Sequence, residues 1–162
     1  MDTASVTAKD IMTANVISIH PEMSLFEAHE IIARSRFDGV PVVDSESHVI
    51  GILTEYDMLS KASVMHLPTL QKLAGELQGF VAKGGLLEYR KELEELKNIT
   101  VSTIMNRDPL TLSMDTSFET VVKTFYKHHR VNPIPVVDDN GMLVGVVSRF
   151  DVLKIFEKLS DL

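Results

Sequence analysis

The chain repeats itself, which limits it to folds that two similar units can build. Val40-Pro41-Val42-Val43-Asp44 returns as Ile134-Pro135-Val136-Val137-Asp138. Val49-Ile50-Gly51-Ile52-Leu53-Thr54 returns as Leu143-Val144-Gly145-Val146-Val147-Ser148, and Tyr56-Asp57-Met58-Leu59 as Phe150-Asp151-Val152-Leu153. All three blocks share a spacing of 94, while upstream Ile11-Met12 matches Ile104-Met105 and Ile19 matches Leu112 at a spacing of 93. A register that shifts only once is the mark of duplication followed by a single insertion or deletion.

Each copy has the same order of local signals. A short apolar segment, Val16–Ile19 or Leu110–Leu112, precedes a helix opened by a Ser/Thr-x-x-Glu capping box. The expected boxes are Ser24 with Glu27 and Thr116 with Glu119. Apolar residues then recur at helical spacing, as Leu25, Ala28 and Ile32 and as Phe118, Val121, Val122 and Phe125. Two strand-like runs follow in each copy, 40–43 with 49–53 and 134–137 with 143–147. The Asp44-Ser45-Glu46-Ser47 and Asp138-Asp139-Asn140-Gly141 turns join them, and a further helix starts at Thr54 and at Ser148. The expected fold is α/β (α+β), with two pseudo-symmetric β-α-β-β-α repeats spanning 8–62 and 101–160. One unit alone leaves a sheet face open, and pairing two buries it.

A helical insert, 63–100, separates the copies. Leu70, Leu73, Leu77 and Val81 mark one amphipathic helix ending at Gly84-Gly85; Leu86, Tyr89, Leu93 and Leu96 mark a second. These stripes suit core packing, or docking of a partner protein whose identity the sequence leaves unknown.

Composition narrows the function. The 162 residues suit one compact unit, without cysteine and therefore without disulfides, thiolate metal sites or a cysteine nucleophile. No run of about 18 apolar residues predicts a membrane span, and a cytoplasmic location is expected. The net charge is −7, and residues 1–60 carry 3 basic and 10 acidic side chains, which accounts for all of it. Such a chain lacks the basic stripe that direct nucleic-acid binding needs.

In order and in duplicate, the motifs resemble a tandem CBS-domain pair, or Bateman module. The carriers in the first copy are Asp10-Ile11-Met12-Thr13, 39–44 (GVPVVD) and 51–57 (GILTEYD). In the second they are Thr103-Ile104-Met105, 133–138 (PIPVVD) and 145–151 (GVVSRFD). The resemblance implies two clefts between the repeats for adenosyl ligands: AMP, ADP, ATP or S-adenosylmethionine, with or without Mg2+. It also implies a homodimer and a regulatory rather than catalytic role. The family's Ser/Thr-x-x-Asp motif falls on Thr54 with Asp57 and on Ser148 with Asp151, the aspartate assigned to ribose hydroxyls and the hydroxyl residue to a phosphate. Gly39, Val40, Pro41, Pro133, Ile134 and Pro135 would adjoin the adenine.

Those junctions also read as helix N-caps, and both roles can coexist. Arg149 inside the second motif, with Lys127, His128, His129 and Arg130 ahead of Pro133, makes the second site the better expected phosphate binder. The first has Glu55 in its motif, with Arg34 and Arg36 as partial offsets. An assembly scaffold with empty clefts is one alternative; a metal protein or hydrolase using His128, His129, Asp138 and Asp139 is another.

Overall fold

A proline-containing hairpin forms the centre of each repeat. The computed structural model describes residues 6–35, 38–62 and 98–160, so the expected insert helices lie outside the described residues. In chain order the elements are α1 (Ala8–Ile11), α2 (Leu25–Ser35), β1 (Gly39–Val43), β2 (Val49–Thr54) and α3 (Glu55–Asp57), which runs into a π-helical turn at Met58–Ala62. Then follow α4 (Val101–Ile104), β3 (Leu112–Ser113), α5 (Phe118–Lys127), β4 (Ile134–Val137), β5 (Leu143–Val147) and α6 (Arg149–Ser160). The chain is thus a mixed helix-and-strand fold of two matching halves.

β1 pairs antiparallel with β2, and β4 with β5, with the register slipping at matching points, Val42/Val43 and Val136/Val137. β3 adds to β4 in parallel. In the first copy the expected strand at Val16–Ile19 shrinks to a single bridge from Ile19 to Val42. The turns rest on side-chain carboxylates: Asp44 Oδ1 accepts from the Glu46 and His48 amides, and Asp138 Oδ1 from those of Asn140 and Met142. Each turn then needs a left-handed residue, filled by Ser47 (φ 70°) and Gly141 (φ 82°). The hairpin tips join across the repeats, Val49 N–H donating to Gly141 O at 3.2 Å and Leu143 N–H to Ser47 O at 3.0 Å.

The two helix starts differ from each other. Ser24 and Glu27 form the expected capping box. At α5 the cap is Ser117, whose hydroxyl accepts from Thr120 N–H, and not Thr116; Glu119 instead pairs with Lys123 at 2.6 Å. The Thr116 carbonyl is taken by the amide of Ala8, so the chain there serves as a docking edge. Val122, expected on the core face, is 39% exposed, because Val121 and Phe125 fill that seam.

The packing units interleave the two copies. One core gathers Ile19, Ala28, Ile32, Val40, Val42 and Leu53 with Val101, Ile104 and Met105 from the start of the second copy. The other gathers Leu112, Val121, Phe125, Ile134, Val136 and Val147 with Ala8, Ile11 and Met12 from the start of the first. Backbone bonds lock the exchange: Thr13 and Val146 bond reciprocally at 2.9 and 3.0 Å, and so do Asn106 and Ile52 at 2.9 and 3.0 Å. Seating side chains such as Val101, Ile104 and Met105 stabilises by about 1.5–3 kcal/mol each. A new capping box, Thr7 with Asp10, opens α1 on this arm.

Close approach of the arms needs missing side chains. A Cβ on Gly51 would lie 2.8 Å from Met105 Sδ and 2.9 Å from the Asn106 carbonyl oxygen. One on Gly145 would lie 2.5 Å from Met12 Sδ, the movable end of a side chain, and 3.2 Å from the Thr13 carbonyl oxygen. Gly51→Ala is therefore expected to cost about 1–3 kcal/mol and more than Gly145→Ala, as urea unfolding will measure. Ser47→Gly is expected to stabilise by up to about 1 kcal/mol, since glycine meets no penalty in the left-handed region.

Acid should weaken the same architecture. The backbone amide of Thr7 holds Asp10 below its ordinary value of 3.8, the Ser24 hydroxyl holds Glu27 below 4.5, and the His48 amide holds Asp44 below 3.8. A depressed carboxylate contributes stability that is present above its unfolded pKa and lost as pH falls through the folded one. Unfolding followed from pH 6 downward should show the loss below about pH 4.5, and Asp10→Asn with Glu27→Gln should flatten it.

Candidate functional site

Both Ser/Thr-x-x-Asp junctions close as helix caps. Asp57 Oδ2 accepts from the Thr54 amide at 3.1 Å and hydroxyl at 2.6 Å, while Asp57 N–H donates back to Thr54 Oγ1 at 3.1 Å. Asp151 Oδ2 accepts from the Ser148 amide at 2.9 Å and hydroxyl at 2.6 Å, and Asp151 N–H returns to Ser148 Oγ at 3.2 Å. Thr54 enters its helix in extended conformation, as a cap must. Both aspartates are buried, 8% and 6% exposed.

The remaining oxygen of each aspartate binds a lysine. Lys61 Nζ and Lys154 Nζ each lie 3.0 Å from the Oδ1 of their partner. Lys61 also donates to the Ile104 carbonyl at 2.9 Å, on the exchanged arm; Lys154 stands 4.9 Å from the Phe150 ring centroid. The lysines were legible only as charges one helical turn after an aspartate.

The second junction opens on a cavity of about 290 Å³, near the lower end of small-molecule sites, about 300–1,000 Å³. Among the described residues, Val146, Ser148 and Asp151 form one wall, with Phe150 and Lys154 beside them. Asn132 and Pro133 lead into β4 on another side. Thr13 and Asp38 come from the first copy, so both repeats build the cavity. Asn132 Nδ2 donates to Asp38 Oδ2, a link between residues at matching places in the copies. Thr13, Asp38, Asn132, Phe150 and Lys154 were not singled out from the sequence, because what brings them together is the exchanged arm and the contact between repeats.

Of the expected site residues, Ser148, Asp151 and Pro133 line this cavity. Thr54 and Asp57 form the matching junction of the first copy, with Gly39 opposite Thr54 in the hairpin. An added Cβ on Gly39 would fall 2.8 Å from the Thr54 methyl, so strand packing already accounts for this glycine. Val40 and Ile134 point into the two cores, and Pro41 and Pro135 are buried in the hairpins. The basic group is directed elsewhere. Arg130 donates to the Tyr56 hydroxyl at 3.1 Å and lies 5.4 Å from its ring centroid. Arg149 donates to the His129 carbonyl and lies 5.6 Å from the Phe125 centroid. His128 and His129 are exposed, and no group of three or more metal-ligating side chains occurs among the described residues.

The pattern of the CBS domain matches residues 8–63 and 101–158. The chain belongs to the CBS domain family. It is 25% identical over 151 residues to the uncharacterized protein MJ1426 of Methanocaldococcus jannaschii, covering 90% of this chain and 88% of that one. It spans only 23% of an L-aspartate semialdehyde sulfurtransferase of the same organism. Among solved structures, CBSX2 in complex with AMP superposes with a TM-score of 0.69 at 23% identity, covering 95% of this chain and 98% of that one. The CBS domain pair of MJ0100, in complex with 5'-methylthioadenosine and S-adenosyl-L-methionine, gives 0.66 at 23% identity with the same coverage. This CBS pair therefore has its two halves joined as those folds have.

The caps make a stability prediction independent of any ligand. Asp57→Ala and Asp151→Ala should each lower the unfolding free energy of the free protein by about 1–2 kcal/mol, read from chemical denaturation.

Proposed function

We propose that this CBS pair is a regulatory module without catalytic activity of its own, which binds an adenosine-type ligand and passes the event to a partner protein. The observation that carries the reading is the buried carboxylate of Asp151 at a cavity built by both repeats. A carboxylate accepts charge-assisted bonds from a vicinal diol, so a ribose is its natural partner. The cavity volume suits a nucleoside, and Pro133, Val146 and Phe150 offer apolar surface for a base. Two structural neighbours were solved with AMP and with S-adenosylmethionine, which supports the ligand class of AMP, ADP, ATP or S-adenosylmethionine.

A ligand held between Thr13, Asp38 and Asp151 touches both repeats at once. It shifts the balance of module shapes by as much as it prefers one of them. A second copy of the chain is the expected neighbour. Tyr56 and Phe150, and Leu59 and Leu153, are matched apolar pairs at 53%, 62%, 74% and 57% exposure, on the turns that follow the two junctions. Exposed apolar side chains in matched positions favour a self-complementary contact. The same pairs favour a second reading, a dimeric scaffold with no ligand. Among the described residues no helix is long and apolar enough to cross a membrane, and the cysteine-free chain fits a cytoplasmic setting.

Calorimetry with AMP, ATP, S-adenosylmethionine and adenosine separates the two readings. Binding is expected, and Asp151→Ala should weaken it by about 1.5–3 kcal/mol, more than Asp57→Ala does. Absence of binding to all four favours the scaffold.

A further inference from the structure

We propose that Asp38 selects the charge of the ligand, so that the cavity prefers a neutral or cationic adenosyl compound over a nucleoside phosphate. This rests on the reading of the cavity as an adenosyl site. Its charged groups among the described residues are Asp38, Asp151 and Lys154. Lys154 is paired with Asp151 at 3.0 Å, which leaves the Asp38 carboxylate uncompensated by the side chains lining the cavity. Asp38 is held in place by the Asn132 amide, and the other end of that amide accepts from Arg149 N–H at 3.0 Å.

Apart from the Phe150 amide and the Thr13 hydroxyl, the donors a phosphate would need are occupied. At the start of α6, Ser148 N–H is bonded to Asp151 Oδ2, Arg149 N–H to Asn132 Oδ1 and Asp151 N–H to the Ser148 hydroxyl. The Ser148 hydroxyl itself donates to Asp151. A helix start attracts an anion through free amides, and here the carboxylate of the cap already fills that place. The guanidinium groups of Arg130 and Arg149 are held by Tyr56 and by the His129 carbonyl, outside the cavity lining. A phosphate brought in meets a fixed negative charge, whereas a sulfonium or ammonium group meets an opposite one.

The test is calorimetry of the wild type and Asp38→Asn against adenosine, S-adenosylmethionine, AMP and ATP without divalent cations. The wild type should bind adenosine and S-adenosylmethionine more tightly than AMP or ATP. Asp38→Asn, whose side-chain oxygen can still accept from Asn132, should tighten AMP by about tenfold relative to adenosine and weaken S-adenosylmethionine relative to adenosine. Added salt gives a second measurement on the wild type alone: AMP affinity should rise relative to adenosine as the repulsion is screened. AMP binding tighter than adenosine in the wild type, or a ratio unchanged by both Asp38→Asn and salt, overturns the selection by Asp38 while leaving the adenosyl site standing. Binding of none of the four compounds overturns both.

Discussion

The exchange of arms between the repeats is the constraint on which the rest of the structure depends. Residues 8–13 complete the second core and residues 99–106 complete the first, so neither sheet is covered by its own copy alone. The backbone pairs Thr13 with Val146 and Asn106 with Ile52 hold those arms at the strands that lead into the Ser/Thr-x-x-Asp junctions. The same arm that fills a core thus sets a wall of the cavity, through Thr13. Packing and site geometry cannot be altered separately here.

Each junction aspartate serves two structural partners. One oxygen closes the helix cap and the other holds a lysine. A buried carboxylate satisfied in this way stays where the fold puts it, ready for a further hydrogen bond at low cost of rearrangement. The two halves are nonetheless unequal. Lys61 is tied to the exchanged arm at the Ile104 carbonyl, whereas Lys154 faces the cavity. Near-identical motifs have therefore become different local environments.

The duplication, both hairpins and the Ser/Thr-x-x-Asp junctions were legible in the sequence, because each rests on local spacing. Helical periodicity reports that a face is buried but not against which neighbour, so the exchange of Met12 and Met105 between cores was not readable. The Ser117 cap was missed for a related reason. Thr116 and Ser117 are both competent caps, and the demand of Ala8 for the Thr116 carbonyl helps to define the edge. The basic run at Lys127–Arg130 looked like a phosphate site as a string. In three dimensions an aromatic ring and a carbonyl oxygen claim Arg130 and Arg149 first. Asp38 carried no motif at all; its place comes from Asn132, 94 residues away in the chain.

The interleaved cores also govern the order in which the molecule can be made. During synthesis α1 emerges well before β5, so its seat beside Val146 and Val147 is completed only when β5 has left the ribosome. Until the second repeat follows, Ala8, Ile11 and Met12 lack the apolar partners of their core, and contacts of such long sequence separation form slowly. The nascent chain must therefore keep α1 uncovered while the first repeat is being made, a stage at which chaperones meet exposed apolar surface.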